Sequence, residues 1–232
     1  MKKYNRILVK ISGEAFSGEK GFGIDEQATA EVAAQLCDIA DSGVELAVVV
    51  GGGNFWRGRT SENMNKVTAD QIGMMATLMN ALALVDAIAQ NHSVILCSSL
   101  SVAKVADCCN VFDAIGAMDE GAIAVFACGT GAPFFSTDTA VVLRACEIGA
   151  DAVLCAKAVD GIYDSDPKTN PSAKKYDEIS YDKVIADNLK ALDLTAIAMA
   201  RENKMPIICF GKDEPDGILR ILNGEKLGTI VH

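Results

Sequence analysis

The chain has 232 residues, of which 50% are hydrophobic, and its 31 acidic and 21 basic residues give a formal net charge of −10. This length and apolar content predict one large α/β domain over residues 1–232. The acidic balance excludes general binding to nucleic acid or to an anionic membrane surface, while a local basic pocket for phosphate stays open. We find no continuous apolar run of about 18 residues and no signal peptide, so we expect a cytoplasmic protein.

The numbers and spacing of cysteine and histidine residues limit which kinds of metal site, disulfide and catalytic base are plausible. The eight cysteines include no Cys-x-x-Cys pair, which predicts reduced core thiols rather than zinc ligands or a disulfide framework. Cys108 and Cys109 are either exposed and oxidisable or part of a helix. Only two histidines occur, His92 and His232, so a catalytic mechanism built on a histidine base has little support.

Strand and helix patterns alternate along the chain. Short apolar runs predict strands at 6–11, 46–50, 94–97, 123–127, 152–156, 206–210 and 227–231. Periodicity and caps predict helices at 25–42, 70–90, 137–148, 181–189, 194–202 and 217–222, with helical turns at 102–106 and 113–118. We expect the Met-rich stripe of the helix at 70–90 to be mostly core. The alternation predicts a largely parallel sheet with helices on both faces.

Three of these strands end in glycine-containing loops: Ser12-Gly13, Gly51-Gly52-Gly53 and Gly129-Thr130-Gly131. In a parallel sheet such ends share one edge, where backbone N–H groups and helix N-termini bind anions. Three loops in one domain favour a ligand with several phosphates. Lys10 and Arg57 flank the first two loops, and we interpret both as phosphate contacts, the alternative for each being a solvated surface charge.

The common phosphate-binding fingerprints are missing from these loops. No Gly-x-x-x-x-Gly-Lys-Ser/Thr segment occurs, and no loop fits Gly-x-Gly-x-x-Gly. The remaining interpretation is a phosphate-handling enzyme that uses several separate glycine loops.

The loops belong to longer motifs. These are Lys10-Ile11-Ser12-Gly13-Glu14, Gly21-Phe22-Gly23-Ile24-Asp25, Gly51-Gly52-Gly53-Asn54-x-x-Arg57-Gly58, Asp70-x-x-Gly73-Met74-x-Ala76-Thr77-x-Met79-Asn80, Gly129-Thr130-Gly131-x-Pro133-Phe134-Phe135-x-Thr137-Asp138 and Val159-Asp160-Gly161-x-Tyr163-x-x-Asp166-Pro167. Together they resemble the amino-acid kinase superfamily, and within it the bacterial uridylate (UMP) kinases, over nearly the whole chain. The segments that begin at Asp70 and Gly129 are the more specific to UMP kinases.

The resemblance implies a three-layer αβα sandwich and transfer of the γ-phosphate of ATP to UMP, with Mg²⁺. It assigns catalytic roles to Lys10, Arg57, Asp138 and Asp193. It assigns ATP contacts to Lys10, Ile11, Ser12, Gly13, Gly53, Arg57, Lys157, Tyr163 and Asp166. It assigns UMP contacts to Gly52, Asp70, Thr130, Gly131, Ala132, Pro133, Phe134, Phe135, Ser136 and Thr137. No residue is assigned as a direct metal ligand.

The same resemblance implies a homohexamer with UTP as feedback inhibitor and GTP as a possible effector. The effector site would lie at Gly18, Glu19, Lys20, Gly21, Phe22 and Gly23. Two alternatives remain from the residues: a superfamily kinase that acts on a carboxylate or carbamate, and a nucleotide-sensing regulator without catalysis.

Overall fold

The computed structural model describes residues 3–56, 63–189 and 192–232. Within these ranges the strands are β1 (Arg6–Ile11), β2 (Glu45–Val50), β3 (Val94–Ser98), β4 (Ile123–Ala127), β5 (Ala152–Lys157), β6 (Ile162–Tyr163), β7 (Lys175–Tyr176), β8 (Glu178–Ile179), β9 (Ile207–Gly211) and β10 (Thr229–Val231). The helices are α1 (Glu26–Asp41), α2 (Lys66–Ala89), α3 (Val111–Asp119), α4 (Thr137–Glu147), α5 (Tyr181–Ala186), α6 (Leu194–Asn203) and α7 (Gly217–Leu222).

The central sheet has eight strands within the described ranges, in the order β3-β4-β2-β1-β5-β9-β10-β8. Neighbours from β3 to β9 pair in parallel, whereas β10 runs antiparallel to β9. The carboxyl ends of these six parallel strands therefore meet at one edge. This edge carries all three glycine loops predicted from the sequence.

Helices cover both faces of the sheet, which confirms the predicted three-layer α/β architecture. Alternate residues of β1 enter two separate apolar clusters: Ile7 and Val9 pack with Leu36 of α1 and Leu78 of α2, and Leu8 packs in the cluster on the opposite face. Helices α3 to α6 contribute to that opposite cluster. A strand buried on both faces needs apolar residues at every position, as the sequences of β2 and β4 show.

Helix α2 differs from its prediction in two ways. It begins at Lys66 rather than at residue 70, because the Asn65 side chain caps it by accepting the N–H of Val67 at 2.9 Å. The Met-rich stripe is also only partly core: Met75 and Met79 are exposed. By length and composition alone α2 could cross a membrane. Its inner face packs in the core of the sheet sandwich, as core helices of soluble proteins do.

Smaller corrections concern three segments. Residues 102–106 form a tight turn closed by a bridge between Val102 and Ala106, not a helical turn. Helix α5 ends at Ala186 rather than at residue 189, because Asn188 takes a left-handed conformation (φ 49°) that stops the helix. Three two-residue strands, β6, β7 and β8, were not predicted, since segments this short have no periodicity to detect.

Candidate active site

The first two glycine loops touch each other directly. The N–H of Gly51 donates to the carbonyl of Ile11 at 2.8 Å. A Cβ at Gly13 would lie 2.6 Å from the backbone nitrogen of Gly53, and one at Gly52 would lie 2.8 Å from the Cβ of Ala76 in α2. Both positions require glycine for packing within the protein. At Gly53 a Cβ would meet no atom of the described residues within 4 Å, so packing against the described part of the chain does not require that glycine.

Lys10 is joined to the N-terminal turn of α4 by an ion pair. Its Nζ lies 2.5 Å from Oδ1 of Asp138, and both side chains are largely buried. The second carboxylate oxygen, Oδ2, lies 3.7 Å from Nζ of Lys157 at the end of β5. Asp138 therefore holds two lysines from two neighbouring strands at the edge that carries the glycine loops.

The Lys157 ammonium stays charged in this setting. Burial by itself lowers the pKa of Lys157, but the carboxylate of Asp138 outweighs that effect, so the pKa lies above its ordinary value. Lysine side chains at an edge that carries glycine loops are an arrangement typical of anion-binding sites.

Asp193 organises the start of α4. Its described hydrogen bonds go to Ser136, Thr139 and Ala196 rather than to Lys10. Its carboxylate accepts hydrogen bonds from the Ser136 hydroxyl and from Oγ1 of Thr139 at 3.0 Å. It also caps α6 by accepting the N–H of Ala196 at 2.8 Å. Ser136 in turn caps α4 by accepting the N–H groups of Asp138 and Thr139. Asp193 thus holds the helix turn that carries Asp138.

Asp70 connects α2 to the third glycine loop. Its Oδ2 accepts the backbone N–H of Phe134 at 2.8 Å, and its Oδ1 lies 2.5 Å from Nζ of Lys66. Burial raises the pKa of Asp70, but the hydrogen bonds from Lys66 and Phe134 outweigh burial and hold it below the ordinary range. Phe134 has φ +72° and an exposed ring, a strained conformation that this hydrogen bond helps to maintain.

The rest of the third loop is held by Ser99, the residue after β3, and by hydrogen bonds within the loop. Oγ of Ser99 donates to the carbonyl of Gly129 at 2.7 Å, and the N–H of Gly131 donates to the carbonyl of Cys128 at 2.9 Å. Thr130 closes a small turn through the N–H of Ala132 at 3.2 Å. These hydrogen bonds fix the conformation of the first half of the loop, and the Asp70 carboxylate fixes its second half at Phe134.

A pair of buried asparagine side chains links the second glycine loop to α2 and to the loop at Gly23. The sequence did not predict a role for this pair. Nδ2 of Asn80 donates to the carbonyl of Gly51 and to Oδ1 of Asn54, both at 2.7 Å. Nδ2 of Asn54 donates to the carbonyl of Gly23 at 2.7 Å. Thr77, on the same helix as Asn80, accepts the N–H of Cys128 at 2.7 Å. One face of α2 thus holds two glycine loops through hydrogen bonds from Asn80 and to Thr77. In the sequence, a polar residue at a core position of an apolar helix is the signal that indicates such a buried hydrogen-bonding role.

Three further predicted residues, Ser12, Tyr163 and Asp166, follow the carboxyl ends of β1 and β5. Ser12 is exposed and begins a short 3-10 helix beside Lys10. Tyr163 donates its hydroxyl to Asp160 at 2.6 Å, and Asp166 accepts the N–H of Lys168 at 2.9 Å, so these two order the segment after β5. Arg57, predicted to be catalytic and to contact ATP, lies outside the described residues.

The predicted effector loop, 18–23, adjoins the second glycine loop. The rings of Phe22 and Phe55 meet edge to face, with centroids 5.8 Å apart. The hydrogen bond from Asn54 to the Gly23 carbonyl ties this loop to the triple glycine.

A parallel α/β sheet whose strand ends gather three glycine loops around a lysine–aspartate–lysine cluster defines a protein built to bind polyphosphate ligands. The family model described as the amino acid kinase family matches residues 5–211, and the chain belongs to this family. That assignment confirms the superfamily resemblance of the motifs.

Solved structures extend the match over the whole chain. A UMP kinase from Bacillus anthracis is 36% identical with a TM-score of 0.94, over 99% of this chain and 96% of that one. A UMP kinase from Ureaplasma parvum is 35% identical with a TM-score of 0.91, over 99% of both chains. A uridylate kinase from Archaeoglobus fulgidus is 25% identical with a TM-score of 0.74, over 100% of both chains.

Proposed function

We propose that this chain is a UMP kinase, which transfers the γ-phosphoryl group of ATP to UMP and yields UDP and ADP. The reaction would supply UDP and CTP in pyrimidine nucleotide biosynthesis. The observation that carries the proposal is the 36% identity, over 99% of the chain, to a protein described as a UMP kinase.

The chemistry needs no general base. The attacking atom is an oxygen of the UMP phosphate, a monoester whose second pKa is about 6, so the nucleophile is already mostly ionised at neutral pH. The protein must instead bring two anions into line and stabilise the charge of the transferring group. Lys10 and the N–H groups of Ser12, Gly13 and Gly53 suit the ATP phosphates, and Lys157 adds a second positive charge.

Magnesium fits the carboxylate present at this edge. Mg²⁺ commonly takes only one or two protein carboxylates and completes its coordination with phosphate oxygens and water. Asp138 is the carboxylate beside both lysines and would orient the ion together with the ATP phosphates. When bound, the ion neutralises phosphate charge. Among the described residues no group of three potential ligands forms a cage without the nucleotide.

The nucleoside of UMP suits the space between Asp70 and the third glycine loop. Thr137 and main-chain groups from Thr130 to Ser136 supply donors and acceptors for the uracil edge, and Phe134 and Phe135 supply exposed aromatic surface. A site that hydrogen-bonds a base edge rejects cytosine strongly, because the wrong base leaves buried polar groups unpaired. Tyr163, Asp166 and Arg57 complete the ATP side of this proposal.

Assembly into a homohexamer is part of the proposal. It is supported by an apolar stripe at helical spacing on the outer face of α2, where Ile72, Met75, Met79 and Leu82 are 36–42% exposed. Such a stripe suits burial against another subunit. We also propose that UTP acts as a feedback inhibitor and that GTP acts as an effector that binds at the loop 18–23. We propose that the enzyme is cytoplasmic.

A substrate panel tests the proposal. ADP release from Mg·ATP would be measured with UMP, CMP, dUMP, AMP, acetylglutamate and carbamate, and the product identified by chromatography. We expect UDP from UMP and little turnover with CMP. Activity on a carboxylate or carbamate but on no nucleotide would leave only the family assignment, and UTP binding without any turnover would favour a regulator.

A further inference from the structure

Two cysteines meet beside the central sheet, away from the lysine cluster. Sγ of Cys97, at a buried position of β3, lies 2.7 Å from Sγ of Cys109 in the segment that precedes α3. Cys109 is half-buried, and its neighbour Cys108 is exposed. Cys108 and Cys109 lie outside the helices of the described chain, so the helix alternative for these two residues is wrong.

The backbone already holds the two segments side by side. Ser98 and Cys108 form a parallel β-bridge, and the N–H of Cys109 donates to the carbonyl of Ser98 at 3.2 Å. In this register Cys97 and Cys109 are offset diagonally, so their closeness is measured at the sulfur atoms. These lie 2.7 Å apart, and an S–S bond of about 2.04 Å requires them to approach each other by roughly 0.7 Å.

A cavity gives small molecules access to this pair. It has a volume of about 160 Å³ and is lined by Cys97, Ser98, Ser99, Cys108, Cys109, Val111, Phe126 and Arg144. Cys97 is buried, whereas Cys109 is half-buried and follows the exposed Cys108, so Cys109 is the thiol of the pair that a reagent in solution meets first.

We propose that Cys97 and Cys109 form a reactive dithiol that closes to an intramolecular disulfide by exchange with a small-molecule disulfide such as oxidised glutathione. The Cys109 thiol loses its proton to water and its sulfur attacks one sulfur of the reagent, whose S–S bond breaks and releases one thiolate that takes up a proton from water. Cys97 then loses its proton to water and attacks Sγ of Cys109, which expels the second thiolate. Two protein thiols are oxidised, and the reagent is reduced to two thiols.

The pairing of Cys97 with Cys109 is favoured over one between the adjacent Cys108 and Cys109. Consecutive Cα atoms are about 3.8 Å apart, shorter than the usual disulfide separation. The Cys109 thiol also already contacts Cys97 and the carbonyl of Asn110.

The test treats the reduced, folded full-length chain with oxidised glutathione, traps remaining thiols with N-ethylmaleimide, and maps the peptides by mass spectrometry. We expect a cross-linked peptide pair that contains Cys97 and Cys109, with the loss of two hydrogen atoms from the intact mass. A bond between Cys108 and Cys109, a lasting glutathione adduct as the only product, or no modification would each overturn the proposal.

Two matched variants separate the sulfurs involved. Cys97→Ser should accumulate a glutathione adduct on Cys109, because the second thiol that expels glutathione is gone. Cys108→Ser changes the neighbouring exposed thiol and should still form the bond at the wild-type rate. Circular dichroism of each variant before treatment verifies that it is folded, and loss of the bond in folded Cys108→Ser would also contradict the proposal.

Discussion

Asp138 and Lys10 form an ion pair of 2.5 Å at the carboxyl edge of the sheet, although 128 residues separate them in sequence. The carboxylate of Asp138 also faces Lys157 at 3.7 Å. Because both lysines share one acidic partner, a polyphosphate that draws Lys10 away leaves Asp138 paired with Lys157. This cluster connects the fold to the proposed phosphoryl transfer.

Replacing the shared carboxylate should make activity sensitive to alkaline pH. In Asp138→Asn, burial becomes the dominant influence on Lys157, so its pKa should fall and the group should lose its proton at lower pH than in the wild type. We expect kcat at neutral pH to fall by at least about tenfold, equivalent to ~1.4 kcal/mol, and the alkaline limb of its pH profile to move to lower pH. An unshifted alkaline limb would contradict this role. Asp187→Asn, which removes the exposed partner of Lys183, is the control and should leave the profile unchanged.

Adjacent glycines of the second loop should respond differently to alanine. In Gly52→Ala the new methyl would lie 2.8 Å from the Cβ of Ala76 and 3.0 Å from the backbone nitrogen of Thr77. Overpacking of this kind costs about 1–3 kcal/mol, which urea unfolding would measure. Gly53→Ala has open space around it, so its stability should be near the wild type while its Michaelis constant for ATP rises. Equal destabilisation of the two variants would refute the distinction.

Loss of the buried asparagine pair should destabilise the fold. Asn80→Ala leaves the Gly51 carbonyl and the Asn54 side chain without their hydrogen bonds from Asn80. Each unsatisfied buried group costs about 1–3 kcal/mol, so for these two groups the free energy of unfolding should fall by roughly 2–6 kcal/mol. Chemical denaturation is the measurement. The control is Asn203→Ala, which removes an exposed hydrogen bond to the Met199 carbonyl. This variant should change the free energy of unfolding far less.

Asp70 should contribute an acid-sensitive part of the stability. Its pKa in the folded state lies below its ordinary value, so its stabilising contribution is present above about pH 4, the unfolded-state pKa, and is lost as the pH falls through the folded-state pKa. We expect the melting temperature of Asp70→Asn to decline less steeply than that of the wild type between about pH 4 and pH 2. If the melting temperatures of the two proteins fell equally steeply over this pH range, the assignment would be contradicted.

The sequence predicted the elements with strong local patterns. The bounds of β1 and β4 and the capping of α1 by Asp25 agree with the structure, because buried parallel strands and helix caps leave local signals. The start of α2 was missed, since Lys66 and Val67 resemble a polar connection until Asn65 is recognised as the cap.

Contacts between distant segments were harder to predict. The sequence placed Lys10, Asp138 and the glycine loops at one edge through the logic of a parallel sheet. It could not show that Asn54 faces Asn80, that Asp193 supports α4 rather than touching Lys10, or that Cys97 meets Cys109, because each of these depends on how separate segments pack. The proposed substrate contacts of the loop residues, and of Arg57, remain predictions.

The most direct test of the central claim is single-turnover transfer from Mg·ATP to UMP in wild type and Lys10→Ala, with nucleotide binding measured separately. Two unit charges about 4 Å apart interact by about 4 kcal/mol at an effective dielectric constant of 20, so we expect the transfer rate to fall by roughly 10³-fold or more. The variant should stay folded, since Asp138 keeps Lys157 as a partner. A folded Lys10→Ala that binds both nucleotides and forms UDP at near wild-type rate would contradict the account.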